Sequence, residues 1–208
     1  MFVSFDGTDG VGKSTQIEMF SQWLTSLGHE ILFCRDPGST ALGDALRNIL
    51  LEKHTMAIDR CSEMLLYMTA RAQLVNEVIR PALSSGVTVV CDRFLLANIV
   101  YQGHAGGLDP QVIRQVGEVA TGGLYPDLIF LLDMDVMTAR GRMDRELDRI
   151  ESQGLDYMEQ VRQGFLIEAE EDPDTIAVID AARSVEEVQS EIQKIARKRM
   201  NLEGEQES

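Results

Sequence analysis

Short apolar runs alternate along this chain with longer stretches whose apolar residues recur at helical spacing. Residues 2–5, 30–34, 87–91, 128–132 and 176–179 read as strands. Most are almost wholly apolar, as expected of a parallel sheet covered on both faces. Between the first two, residues 13–27 carry Ile17, Phe20, Leu24 and Leu27 on one helical face and stop at Gly28. Residues 41–51 predict a second helix and 59–83 a long third, with Pro81 marking its frayed end. Pro110 opens a helix over 111–120, and 155–171 and 185–199 complete the set. The alternation predicts an α/β, doubly wound fold, with ligands at the carboxyl ends of the strands of a parallel sheet. No internal repeat or long linker interrupts residues 1–200, which read as one domain; 201–208 read as a flexible, solvated acidic tail.

The connection after the first strand carries a specific pattern. Gly7-Thr8-Asp9-Gly10-Val11-Gly12-Lys13-Ser14-Thr15 lies between a strand and a helix and fits G-x-x-x-x-G-K-[ST]. Glycines let the backbone curl until its N–H groups point at phosphate oxygens, and the helix N-terminus adds its dipole. Lys13 would then neutralise the β/γ-phosphates and the Ser14 hydroxyl would ligate Mg²⁺. The plainer alternative is a glycine-rich turn with a surface lysine. The pattern names a nucleoside triphosphate, not a reaction.

Charge narrows the partners. The 208 residues hold 19 Lys and Arg against 34 Asp and Glu, a net −15. So acidic a chain is a poor binder of duplex phosphates or anionic membranes. No apolar run approaches a membrane span of ~18 residues, and the first residues show no leader pattern; a soluble cytoplasmic protein is expected. Cys34, Cys61 and Cys91 are odd in number and far apart, so buried free thiols are expected. Only Lys13, Lys53, Lys194 and Lys198 are lysines, so arginine dominates the cations. Its planar fork suits carboxylates and phosphates.

Those arginines supply the candidate acceptor site. Asp92-Arg93 ends the third strand, where Arg93 would clamp an acceptor phosphate and Asp92 would orient it or a metal-bound water; a surface ion pair is the alternative. Arg35-Asp36-Pro37-Gly38 follows the second strand in the same way. Tyr67 and Arg71 are four apart on one helix, suiting a planar base, or else forming an ordinary core Tyr beside an extended Arg. Arg142, Arg145 and Arg149 follow spacings of three and four, so they would share a helix face; Arg140 lies beside them. That cluster reads either as an alternating-charge exposed helix or as a lid whose closure excludes water.

Together these residues resemble thymidylate kinase, from Phe2 to about Arg199. The segments are Asp6 through Thr15, Arg35-Asp36-Pro37-Gly38-Ser39-Thr40, Tyr67 through Arg71, and Asp92-Arg93-Phe94. Asn98 with Tyr101-Gln102-Gly103, Pro126-Asp127-Leu128 and Glu146-Leu147-Asp148-Arg149-Ile150-Glu151 complete them. The resemblance implies a P-loop nucleoside monophosphate kinase fold, with a five-stranded parallel sheet, helices on both faces and a short lid at about 138–151. It implies ATP-dependent phosphorylation of dTMP to dTDP in dTTP biosynthesis, with Mg²⁺ and as a homodimer paired through the long third helix. By that analogy Asp9 meets the deoxyribose 3′-hydroxyl and, with Ser14 and Asp92, the metal. Arg93 holds the acceptor phosphate with Arg35 close by, Arg71 and Asn98 read the thymine edge, and Tyr67 stacks. Tyr101 crowds the 2′-position and Gln102 helps bind the nucleoside. Gly10 and Val11 are not basic, so the chain resembles the bacterial type, whose catalytic arginine lies in the lid, here Arg140 or Arg142. Adenine is expected near Asp180-Ala181-Ala182. Asp36, Ser39, Tyr67, Phe94 and Ala97 depart from the usual pattern, and a Pro expected soon after Asp133 is missing.

Three rivals share these residues: another P-loop nucleotide or deoxynucleoside kinase of the same fold, a nucleotide-dependent switch, and an inactive binder. Against the switch, the chain lacks the Asn-Lys-x-Asp motif that reads guanine.

Overall fold

The computed structural model describes residues 1–52, 57–144, 146 and 148–202. Five parallel strands run in the order β2-β3-β1-β4-β5: β1 (Phe2–Asp6), β2 (Ile31–Arg35), β3 (Thr88–Asp92), β4 (Leu128–Asp133) and β5 (Ile176–Asp180). The expected α/β sheet is present. Each strand runs one residue beyond its expected end and stops on a charged side chain, Asp6, Arg35, Asp92, Asp133 or Asp180, at the carboxyl edge where ligands gather.

Alternation along the strands sorts the core into two faces. Val3, Phe5, Phe130 and Ile179 pack against Phe20 and Trp23 of α1 (Lys13–Ser26) and Ile192 of α9 (Val185–Arg199). On the other face Phe2, Val89 and Cys91 meet Met68 and Leu74 of α3 (Arg60–Leu74) and Ile113 of α6 (Pro110–Thr121). Ile129, Leu131 and Ile176 meet Val161 and Phe165 of α8 (Leu155–Glu171). Caps set several helix starts. The Thr40 side chain accepts from Gly43 N ahead of α2 (Ala41–Leu51), and Ser184 and Glu187 form a reciprocal capping box on α9.

The long third helix is unbroken but not α-helical throughout. After α3 the chain widens into a π-helical turn, Val75–Ile79, and then resumes as α4 (Arg80–Ser84). Pro81 has no N–H and its ring would collide with a carbonyl four residues back, so a wider turn before it relieves both. Two further helical stretches follow strands: α5 (Leu95–Asn98) with the π turn Ile99–His104, and α7 (Val136–Gly141). In place of the Pro expected after Asp133, the Asp135 side chain caps α7 by accepting from Thr138 N at 2.8 Å.

Three sequence expectations need correction. Cys61 is exposed, whereas Cys34 and Cys91 are buried, because Cys61 and Ser62 lie ahead of the packed face of α3, which begins at Glu63. Arg142 and Arg149 do not share a helix face: α7 ends at Gly141, and the described residues from Met143 to Asp148 are not helical. Arg142 turns toward the Ala181 carbonyl at 3.2 Å, whereas Arg149 donates to the Leu50 carbonyl at 2.7 Å and to Glu63; Arg145 lies outside the described residues. Leu202, in the stretch read as a tail, is buried in the α1–α9 core; residues 203–208 lie outside the described residues.

Among the described residues no helix is long and apolar enough to cross a membrane.

Candidate active site

The phosphate loop is built by three left-handed glycines between β1 and α1, with φ +129° at Gly7, +84° at Gly10 and +93° at Gly12. At two of them space is decisive as well as φ. A Cβ on Gly7 would lie 2.3 Å from the Leu132 carbonyl oxygen, and one on Gly10 2.1 Å from that of Ala139. The loop is thus pressed against β4 and α7. Buried Lys13 folds back over it, donating to the carbonyls of Thr8 (2.7 Å) and Gly7 (3.1 Å) with Asp9 at 3.7 Å. Burial, and then the neighbouring Arg93 cation, lower its pKa. Ser14 and Thr15 are exposed at the start of α1. Val11 packs into the core, and Gly7 contributes its carbonyl.

Arg93 approaches from the end of β3 in a left-handed conformation, φ +68°. Its guanidinium donates to the Gly7 carbonyl at 2.8 Å and to Asp9 Oδ1 at 3.0 Å, and lies 5.2 Å above the Tyr101 ring. It lines two openings at once. One is a crevice lined by Asp9, Gly10, Gly12, Lys13, Ser14, Thr15, Arg35, Asp92 and Arg142. The other is a cavity lined by Asp9, Asp36, Arg47, Tyr67, Arg71, Ala97, Asn98, Tyr101, Gln102 and Asp148. Arg35 therefore opens on the phosphate crevice and not on the cavity that holds the other candidate substrate residues. Thr8 and Arg140 line a third, smaller cleft beside Asp9.

The cavity floor is a buried polar array. Arg71 donates to Asp36 Oδ2 at 2.6 Å, Asn98 Oδ1 at 2.7 Å and the Phe94 carbonyl at 3.1 Å, and its guanidinium lies 5.3 Å from the Phe94 ring. Asn98 Nδ2 donates to Gln102 Oε1 at 2.7 Å, and Gln102 Nε2 to Glu63 Oε1 at 2.8 Å. Burial pushes the Asp36 carboxyl up, and the Arg71 charge opposes that shift. A phosphate cradle and a polar-floored cavity thus adjoin and share Arg47 and Arg93, an arrangement suited to moving a phosphoryl group between two nucleotides.

The model of the family described as thymidylate kinase matches residues 5–192. The chain belongs to the thymidylate kinase family. It is 46% identical over 186 residues to the thymidylate kinase of Rhodopirellula baltica, covering 89% of this chain and 76% of that one. With the thymidylate kinase of Symbiobacterium thermophilum it is 43% identical over 197 residues, 94% of this chain and 92% of the relative. In solved structures it is similar to the thymidylate kinase of Ehrlichia chaffeensis, with TM-score 0.77 and 29% identity over 94% of this chain and 97% of the other. Membership makes the chain a kinase, and it accords with the P-loop nucleoside monophosphate kinase fold.

Several residues have roles that the sequence alone did not assign. Asp36 is the buried counter-charge of Arg71, and Arg47 lines both the cavity and, across Pro37, the crevice. Glu63 is a buried carboxylate eight residues before Arg71 on α3, and that helical spacing was the available signal. Asp6 is fully buried beneath Lys13 and Arg93, and burial raises its pKa to about 7.

Proposed function

We propose that the chain transfers the γ-phosphate of ATP to dTMP, giving dTDP, as a cytoplasmic homodimer that uses Mg²⁺. The observation that carries this reading is the position of Arg93 between the phosphate loop and the polar cavity. ATP lies along Gly7 to Thr15, with Lys13 released from its own loop carbonyls onto the β/γ-phosphates. The base of dTMP lies over Tyr67 and meets Arg71 and Asn98. Its phosphate meets Arg93, with Arg35 at the adjoining crevice. Asp9 meets the 3′-hydroxyl, Tyr101 excludes a 2′-hydroxyl, and Gln102 supports the nucleoside. The acceptor is an already ionised phosphate, so no general base is needed and catalysis is positioning plus charge stabilisation.

Mg²⁺ prefers oxygen ligands and keeps nucleotide phosphates and water in its shell. Asp92 Oδ1 is buried without a hydrogen-bond partner and Ser14 lines the same crevice, which fits such an ion. Ser14, Asp92 and Asp9 would hold it, and when bound it neutralises charge on the β/γ-phosphates. Among the described residues no cluster of three His, Cys, Asp or Glu could hold a metal.

Residues 138–151 act as a lid that excludes water, with Arg142 and Arg140 as its cations. Arg142 lies between the crevice and Ala181, beside the expected adenine position. Exposed Leu65 on α3 and Val112 and Val119 on α6 supply apolar surface for two-fold pairing. The test is to incubate the protein with ATP, Mg²⁺ and dTMP and resolve the nucleotides. Stoichiometric dTDP and ADP are expected; ADP formed without dTDP would make it an ATPase and sink the reading.

A further inference from the structure

The polar array under the acceptor cavity has a direction, and its direction has a source outside the cavity. Arg149 donates to Glu63 Oε2, while Gln102 donates to Glu63 Oε1 at 2.8 Å. Gln102 then accepts from Asn98 Nδ2 at 2.7 Å, and Asn98 Oδ1 accepts from Arg71 Nη1 at 2.7 Å. Glu63, Arg71, Asn98 and Gln102 are each no more than 2% exposed, so water cannot repair a mismatch.

The two ends of this chain are both arginines, which only donate. The two amides between them each pass polarity on unchanged, donating at one end and accepting at the other. A chain with donors at both ends closes without a clash only if one member accepts on both sides, and the Glu63 carboxylate is that member. It forces Gln102 to present its NH₂ inward, and that forces Asn98 to turn Oδ1 toward Arg71 and the cavity.

We propose that Glu63 is a specificity-determining positioning residue that fixes the Asn98 amide and thereby selects the pyrimidine. The proposal rests on the reading that Arg71 and Asn98 meet the base. The N3–H of thymine is a donor and needs an acceptor, which Asn98 Oδ1 supplies through its second lone pair. Cytosine has an acceptor at N3 and an amino donor at C4, so it meets Oδ1 and the guanidinium with the wrong polarity at both atoms. Glu63 does not line the cavity; it acts through Gln102 and Asn98.

Glu63→Gln keeps the size of the side chain but passes polarity on instead of reversing it. With arginines still at both ends, one junction in the chain becomes donor against donor. Removing one end, in Glu63→Gln/Arg149→Met, lets the carbonyl of the introduced amide turn to Gln102 and restores a consistent order. Arg149→Met alone leaves the carboxylate to orient Gln102.

The experiment measures kcat/KM for dTMP and dCMP in the parent and these three variants, with thermal midpoints alongside. The parent prefers dTMP. E63Q lowers the dTMP/dCMP ratio about 10–100-fold, mainly through KM for dTMP, as a forced mismatch of a buried hydrogen bond requires. The double variant recovers most of that ratio, and R149M keeps it near the parent value even where kcat falls. A ratio in E63Q within twofold of the parent, or one that fails to recover in the double variant, overturns the proposal. So does an equal loss in R149M, which would trace the effect to the ion pair. A parent that does not prefer dTMP over dCMP overturns the base reading itself, and the proposal with it.

Discussion

Arg93 Nη2 stands 3.0 Å from Asp9 Oδ1, joining the end of β3 to the phosphate loop across 84 residues of sequence. The other terminal nitrogen, Nη1, donates to the Gly7 carbonyl at 2.8 Å. One planar cation is thus fixed by two partners at the boundary of donor and acceptor sites. Arg93→Ala is expected to lower kcat/KM for dTMP by about 10³-fold or more without unfolding the protein. Arg93→Lys should recover little, because an ammonium cannot hold both partners as a fork does. Lys13→Ala should likewise lower turnover by orders of magnitude. Steady-state kinetics with circular dichroism checks all three.

Asp36 and Arg71 form a buried ion pair at 2.6 Å. Asp36→Ala leaves the Arg71 cation buried opposite an empty space. A loss of about 3–5 kcal/mol in unfolding free energy is expected, together with a raised KM for dTMP. Denaturant titration measures the first; a change under about 1 kcal/mol would contradict the pairing.

Arg142 lines the phosphate crevice, whereas Arg140 lines the smaller cleft beside Thr8 and Asp9. Arg142→Ala should therefore cost more in kcat, by about 10²-fold or more, with Arg140→Ala the milder change. Single-turnover rates at saturating ATP and dTMP separate the two.

Asp6 gives the fold a pH dependence of definite sign. Its carboxyl is raised by burial from 3.8 to about 7. Between about pH 4 and 7 the native state keeps a proton that the unfolded chain has released, so this group's contribution to stability falls as pH rises and levels off above 7. Asp6→Asn should be more stable than the parent above pH 7, by on the order of 2–4 kcal/mol, with the difference vanishing below pH 4. Urea midpoints across that range in nucleotide-free protein check it; a variant less stable at pH 8 would contradict the sign.

The sheet was legible because its strands are apolar on both faces, and the phosphate loop because its glycines and lysine are local in sequence. The π turn before Pro81 and the helix at Leu95–His104 were not, since neither carries a clean 3.6-residue apolar stripe over enough residues. Tyr67, Arg71, Arg93, Asn98, Tyr101 and Gln102 are each recognisable in the sequence, and they line one cavity. The pairing of Arg71 with Asp36 and the part played by Glu63 are not, because a buried counter-charge is fixed by tertiary packing and looks in sequence like any surface charge. The same limit applies to Arg142 and Arg149: equal spacing suggests one helix face, but the chain leaves helix after Gly141 and the two arginines part.

The central claim is that the polar-floored cavity selects dTMP as phosphoryl acceptor. The most direct measurement is kcat/KM, by coupled ADP release with ATP and Mg²⁺, for dTMP, dUMP, dCMP, dGMP and thymidine. The highest value is expected for dTMP, with dCMP and dGMP lower by orders of magnitude and thymidine, which lacks the phosphate for Arg93, essentially inert. Equal or better turnover of dCMP, dGMP or thymidine would contradict it.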